Sequence, residues 1–174
     1  MKFNKNIIKA NLSCKYIETR ESCRVFDDKK CVLPETLYKL LYSASLAPSG
    51  KNTQPWRFRI IEAENIKKIA ALLPNNKWLF NVNQIIAFYL NKSAGYDFEK
   101  DIMAMGACIQ NILIEAEANR LGACWVGECT EYRREINEIL CVDEKYTLMA
   151  FVAIGHRIRK TAKSGRQPVE KLLV

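Results

Sequence analysis

The sequence predicts an α+β or α/β sandwich, because helix-like and strand-like patterns alternate along it. Three stretches carry that reading. Residues 85–90 are an unbroken apolar run, as in a central strand covered on both faces. Residues 146–154 repeat that signal. Residues 97–119 have a helical period that places Ile102, Met105, Ile109, Ile112, Leu113 and Ala116 on one face. Met103, Ala104, Gly106, Ala107 and Cys108 keep the remaining surface apolar or small. A helix apolar on most sides is buried on most sides. In a chain of 174 residues, 97–119 is therefore a central helix or a subunit contact.

The other elements follow in chain order. Residues 1–15 carry no motif that places them, although Ile7, Ile8 and Leu12 share a helical face. Pro34, Glu35 and Thr36 start a helix, with proline in the first turn and a carboxylate at the positive pole; it runs to about 47. Residues 56–62 are rich in aromatic and β-branched side chains and read as a strand. Residues 64–73 form an amphipathic helix with Ile66, Ile69, Ala70 and Leu73 inward, ended by Pro74-Asn75-Asn76. A short strand at 124–126, a helix at 132–140 and a charged loop at 157–165 complete the pattern. The tail 167–174 carries Val169, Leu172, Leu173 and Val174, which need a surface to cover. With no repeat, low-complexity tract or linker, residues 1–174 read as a single domain.

Composition narrows the function classes. At 49% hydrophobic the chain can fill a core, which argues against disorder. No apolar run has the length of a bilayer-spanning helix, and the apolar stretch after the basic N-terminus is too short for a signal peptide. The expectation is a cytoplasmic protein with no membrane partner. Seven cysteines (14, 23, 31, 108, 124, 129 and 141) form no C-x-x-C pair, and His156 is the only histidine. That spacing supports neither a metal site nor a disulfide framework, but small buried thiols. Cys124 and Cys129 have no base nearby in sequence, which argues against nucleophilic catalysis. The formal charge of +8 makes nucleic-acid binding a rival reading. The basic residues are dispersed, however, with clusters only at 157–160 and 163–166, and no aromatic-interleaved motif accompanies them. No nucleic-acid partner is expected.

Two stretches could carry chemistry. Residues 47–58 hold two prolines, a glycine and several small polar residues between a helix and a strand. Such a mixture makes a loop, and its Asn and Gln side chains offer both donors and acceptors to a planar heterocycle. An ordinary helix-to-strand turn is the alternative. Arg20, Ser22 and Arg24 stand at i, i+2 and i+4, which in an extended segment places them on one face. Two guanidiniums and a hydroxyl suit a phosphate; a solvated basic face is the alternative.

The A-P-S…N-x-Q-P-W-R-F pattern of 47–58 resembles the signature of the nitroreductase family. So do the R-x-S-x-R-x-F element at 20–26, the G-x-x-W-V-G element at 122–127, and Ile154-Gly155 followed by Arg166-Gln167-Pro168. Together they run in the family's order from about 16 to 174. The resemblance implies an α+β sandwich with a mostly antiparallel central sheet flanked by helices, in an intertwined homodimer. It implies FMN at the subunit interface, touched by both subunits, with the tail 167–174 packed on the partner. NAD(P)H would be the electron donor and a flat small molecule, such as a nitroaromatic or quinone, the acceptor, in a ping-pong cycle. A Rossmann fingerprint is absent, and the family does without one. By the same resemblance Arg20, Ser22 and Arg24 bind the FMN phosphate, and Pro48, Ser49, Gly50, Asn52 and Gln54 form the flavin loop. Asn75 adds an amide. Trp125, Val126, Gly127 and Glu128 present backbone N–H groups to the flavin N5/O4 edge, and Lys163 and Arg166 return to the phosphate. No side chain need be catalytic, since the chemistry resides on the flavin. Glu21 and Lys51 depart from the family pattern, Lys51 replacing a glycine. Tyr96 and Phe98 are candidates to cover the ring. Flavin storage, reductive dehalogenation and flavin breakdown are the alternative roles within the family.

Overall fold

The computed structural model describes residues 15–161 and 164–174. Its centre is a four-stranded antiparallel sheet in the order β1-β2-β4-β3. The strands are β1 (Trp56–Ile61), β2 (Gln84–Asn91), β3 (Gly122–Val126) and β4 (Tyr146–Gly155). The helices are α1 (Lys15–Thr19), α2 (Pro34–Ser45), α3 (Ala63–Leu72), α4 (Phe98–Ala118) and α5 (Arg133–Leu140). The fold is the α+β sandwich with a mostly antiparallel sheet that the sequence led us to expect.

Strand periodicity divides the core into two layers. Ile86, Phe88 and Leu90 of β2, with Ala150, Val152 and Ile154 of β4, pack against α2 and α4. Ile85, Ala87 and Tyr89, with Phe151 and Ala153, pack against α3 and α5. A bulge keeps this alternation in step. Phe88 pairs with Ala150 but Tyr89 pairs with Leu148, so Met149 is an extra residue and Leu148 turns to the α3/α5 side. Both central strands are covered on both faces, which is why they read as continuous apolar runs.

The N-terminus of α4 is capped by Asp97, whose carboxylate accepts from the Lys100 N–H at 3.1 Å. The buried Asp101 carboxylate accepts from the N–H groups of Tyr96 and Asp97 at 2.9 and 3.3 Å, pinning the turn that leads into the helix. Met105, Cys108, Ile109, Ile112, Leu113 and Ala116 of α4 are buried. Ile102 leaves the expected inward face and is exposed, as is Met103 at 67%. One stripe of α4 therefore faces outward, because α2 and the sheet cover only the opposite side. Two boundaries also differ from expectation. α2 stops at Ser45, and α3 is followed by a 3-10 segment, Pro74–Asn81, since Pro74 lacks the N–H that would continue an α-helix. Among the described residues no helix is long and apolar enough to cross a membrane.

Candidate functional site

The predicted site residues fall into two groups. The first lies along the free edge of β3. Ser22 bridges Ala123 in parallel, and the Cys23 N–H donates to the Ala123 carbonyl at 2.9 Å. Phe26 then bridges Arg157 antiparallel, so residues 22–26 are laced to both β3 and the end of β4. This pairing sets Arg20, Ser22 and Arg24 around Cys124. Burial pushes the Cys124 thiol up, opposed by the charge of Arg24, a hydrogen bond with Ser22 and the charge of Arg20. Neither Arg20 nor Arg24 pairs with a carboxylate among the described residues. Glu21 turns away from them, its side chain buried against Arg157.

Beyond Arg24 the same edge presents Trp125, half-exposed, Val126, buried, and Gly127, where an added Cβ would meet open space. Glu128 begins a 3-10 segment, Glu128–Tyr132. Its carboxylate accepts from the backbone N–H and Nδ2 of Asn75 at 3.2 and 2.5 Å, and from Nδ2 of Asn76 at 2.6 Å. Asn75 is thereby brought to the end of β3, and Asn76, which the sequence reading passed over, stands beside it.

The second group is the loop after α2. Its backbone is unusual: Lys51, Asn52 and Gln54 have φ of 51°, 55° and 47°, in the left-handed region. Asn tolerates that region, but Lys and Gln do so at a cost of about 1–2 kcal/mol each. Local bonds hold the shape. The Ser49 hydroxyl accepts from the Gln54 N–H at 2.9 Å, and the Ser49 carbonyl from the Asn52 N–H at 3.0 Å. Gly50 lies against the Tyr96 ring, where a Cβ would come within 2.5 Å of Cδ1. Lys51 Nζ and Lys100 Nζ stand 4.5 and 5.0 Å from that ring's centre. Pro48, Ser49 and Gly50 wall an open cavity of about 270 Å³ with Lys100, Met103, Ala104 and Ala107. Tyr96 lies against the loop, and both it and Phe98 are exposed.

These two groups stand apart in this chain. The loop leads into β1 and the clamp flanks β3, at opposite edges of the sheet, three strand spacings or about 14 Å apart. Along α4 the separation is similar. Loop residues share a cavity with Met103, whereas the clamp's Glu21 approaches Arg157, which pairs with Glu117. Those two helix positions are about 21 Å apart at 1.5 Å per residue. Arg166 is exposed and, among the described residues, donates to the Ser164 and Gly165 carbonyls at 3.1 and 3.0 Å. Lys163 lies outside the described residues. Sequence reading missed Arg157, Glu117 and Thr161, which brace the clamp from behind. Their only signal was the basic cluster at 157–160.

As a donor set the first group fits the FMN phosphate, since two guanidiniums without acidic partners among the described residues and a hydroxyl all act on the Cys124 thiol. The second group fits the edge of a planar ring, since it exposes Asn52 and Gln54 on a preformed backbone. Among the described residues no cluster of His, Cys, Asp or Glu could hold a metal ion.

Known proteins share the sequence pattern and the fold of this chain. The profile of the Nitroreductase family matches residues 17–75 and 70–156. An Archaeoglobus fulgidus protein named "Putative NADH dehydrogenase/NAD(P)H nitroreductase" is 30% identical over 146 residues, 82% of this chain and 83% of that protein. An oxygen-insensitive NADPH nitroreductase of Helicobacter acinonychis is 24% identical over 87% of this chain and 90% of its own. Among solved structures, a Desulfovibrio desulfuricans protein described as a nitroreductase in complex with FMN superposes with a TM-score of 0.88. It is 32% identical, over 94% of this chain and 96% of that one. The chain described here belongs to the nitroreductase family.

Proposed function

We propose that this protein is a homodimeric, FMN-dependent oxidoreductase that passes electrons from NAD(P)H to a flat small-molecule acceptor such as a nitroaromatic or quinone. The observation that carries this reading is the separation of the two flavin-binding groups to opposite edges of one sheet. A second copy related by a twofold axis brings the loop of one chain to the clamp of the other, and makes two such sites. Its apolar contact is at hand. Tyr38 at 74%, Tyr42 and Leu46 beyond α2 are exposed, as are Phe98 and Met103 on α4 and Val169, Leu172, Leu173 and Val174 in the tail. Burying such a surface favours association by about 25 cal/mol per Å².

Each part of the chain has a task in this reading. Arg20, Ser22 and Arg24 hold the phosphate by charge-assisted hydrogen bonds. We assign Arg166 and Lys163 to the same phosphate. They follow Thr161, which is bonded to Glu21 and Ser22 at 2.7 and 3.4 Å. Backbone N–H groups of 125–128 donate to the ring, with Asn75 beside them, and the ring edge meets Asn52 and Gln54 of the other copy. FMN, when bound, supplies the hydride-accepting and electron-donating chemistry. The chain supplies position, a partly water-excluding wall and donors that favour negative charge on the ring.

Titration of the purified protein with FMN and riboflavin tests this. FMN should bind near one per chain. Arg20→Ala should weaken FMN by about 10- to 100-fold, one charge-assisted contact of about 1.5–3 kcal/mol, while leaving riboflavin nearly unchanged. A protein that binds neither flavin would remove the enzymatic reading altogether.

A further inference from the structure

Behind the clamp is a buried ionic cluster that the flavin reading does not require. Arg157 Nη1 lies 2.8 Å from Glu117 Oε2 and 4.0 Å from Glu21 Oε1, with side chains only 13%, 8% and 7% exposed. Three elements meet there: the segment 20–26 that flanks β3, the last turn of α4 and the residues just after β4. The backbone of Arg157 is fixed by its bridge to Phe26, and its Cβ lies 3.2 Å from where a Cβ on Gly122 would be. The Glu21 carboxylate also accepts from the Thr161 N–H at 2.7 Å.

Two buried carboxylates thus share one guanidinium, on a segment that also carries Arg20 and Arg24, neither of which pairs with a carboxylate among the described residues. Cys23 shows how close the groups are. Burial pushes its thiol up, a hydrogen bond to the Val25 carbonyl opposes that, and the thiol also feels Arg157, Glu21 and Arg24. A buried carboxylate deprived of its partner is strongly disfavoured and takes the nearest cation. Arg20 and Arg24 flank Glu21 in the chain, and Arg24 acts together with Glu21 and Arg157 on the Cys23 thiol.

We propose that Arg157 is a positioning residue for phosphate recognition: it engages Glu21 and Glu117, which would otherwise compete with the flavin phosphate for Arg20 and Arg24. This rests on the FMN reading above and deepens it. Glu21, a departure from the family pattern, becomes a built-in rival anion that the fold keeps occupied.

The test is a flavin-fluorescence titration with FMN and with riboflavin, which lacks the phosphate. Arg157→Met should weaken FMN at least about tenfold, the scale of one lost charge-assisted contact, and riboflavin by no more than about twofold. Arg157→Met/Glu21→Gln should recover much of the FMN affinity, because the competing charge on the clamp segment itself is gone. A merely structural Arg157 would give equal losses for both flavins and no recovery in the double variant, and either result overturns the proposal. Should Arg157→Met fail to fold, Arg157→Lys carries the test, since it keeps the charge but loses the fork. It should lower the FMN-to-riboflavin affinity ratio, and an unchanged ratio overturns the proposal. Failure of the flavin reading itself would appear first and separately, as wild-type protein that binds no FMN.

Discussion

Glu128 Oε1 accepts two hydrogen bonds from Asn75, one from its backbone N–H at 3.2 Å and one from its side chain at 2.5 Å, while Oε2 takes Asn76 at 2.6 Å. One carboxylate therefore ties the 3-10 segment Pro74–Asn81 to the end of β3. Hydrogen bonds to a charged group contribute about 1.5–3 kcal/mol when sheltered, and less here because Asn75 is exposed. Glu128→Ala should lower stability by about 1–2 kcal/mol and weaken flavin binding; Glu128→Gln, which retains an acceptor, should cost less. Urea midpoints would decide it, and an Ala variant as stable as wild type would show that the bridge contributes nothing.

Gly50 and Tyr96 make a second checkable pair. A Cβ at position 50 would stand 2.5 Å from the Tyr96 ring, so either the ring or the loop must move. Gly50→Ala should therefore disturb the loop and weaken FMN binding several-fold. Gly50→Ala/Tyr96→Ala should recover it, because the obstructing ring is gone. Failure of that second substitution to help would mean that the loop is sensitive at Gly50 for some other reason.

The proposed composite site predicts complementation between defective chains. One chain carries Arg20→Ala and Arg24→Ala, the other Asn52→Ala and Gln54→Ala. Each homodimer has only damaged sites, but a mixed dimer has one intact site and one doubly damaged. With random pairing, flavin occupancy should return to about a quarter of the wild-type level. A co-expressed mixture that stays empty would place both groups on the same chain's site. Sedimentation of the wild type should show a dimer with no flavin-loaded monomer.

Thiol reactivity should follow burial. Burial pushes the Cys108 and Cys129 thiols up to about 12, whereas Cys31 and Cys141 are exposed. At pH 8 a disulfide reagent should modify Cys31 and Cys141 quickly and leave Cys108 and Cys129 untouched until the chain unfolds. The linkage has a definite sign. The folded-state values lie above the ordinary 9.0, so these thiols favour the folded state fully below that pH. From pH 9 toward 12 unfolded thiolates form first, and stability should fall. Melting curves across that range check it; a flat profile would mean that these thiols ionise equally well in both states.

Turnover should have a loose choice of acceptor and ping-pong kinetics. The cavity beside the loop is open and is walled by Pro48, Ser49 and Gly50 on one side and by Lys100, Met103, Ala104 and Ala107 of α4 on the other. Flat quinones and nitroaromatics should give similar kcat/KM with either nicotinamide donor, and double-reciprocal lines should be parallel. Intersecting lines, or one strongly preferred acceptor, would argue against a shared open pocket while leaving flavin binding unaffected.

Much of this was legible from the chain because it is local. The apolar runs in β2 and β4 declare strands buried on both faces. The periodicity of α4 declares a helix needing cover on most sides, and Pro34 and Asp97 sit where helix starts need them. The alternation of Arg20, Ser22 and Arg24, and the proline-bracketed loop 48–55, are patterns within a few residues, so their chemistry could be read before any fold was known. A boundary such as the 3-10 segment Pro74–Asn81 was not legible, because it depends on what the turn packs against.

What only the tertiary structure decided are the relationships between residues far apart in the chain. Glu21, Glu117 and Arg157 share no motif, yet they meet because segment 20–26 is laced onto β3 and β4 just where α4 ends. Asn75 reaches Glu128 for the same kind of reason. The separation of clamp and loop was invisible as well, since sequence order places them only some twenty residues apart, whereas strand order places them at opposite edges of the sheet. The sequence by itself determined which groups could bind a flavin. The strand order, a product of long-range pairing and burial that no local pattern encodes, decided that the clamp and the loop stand at opposite edges of one sheet.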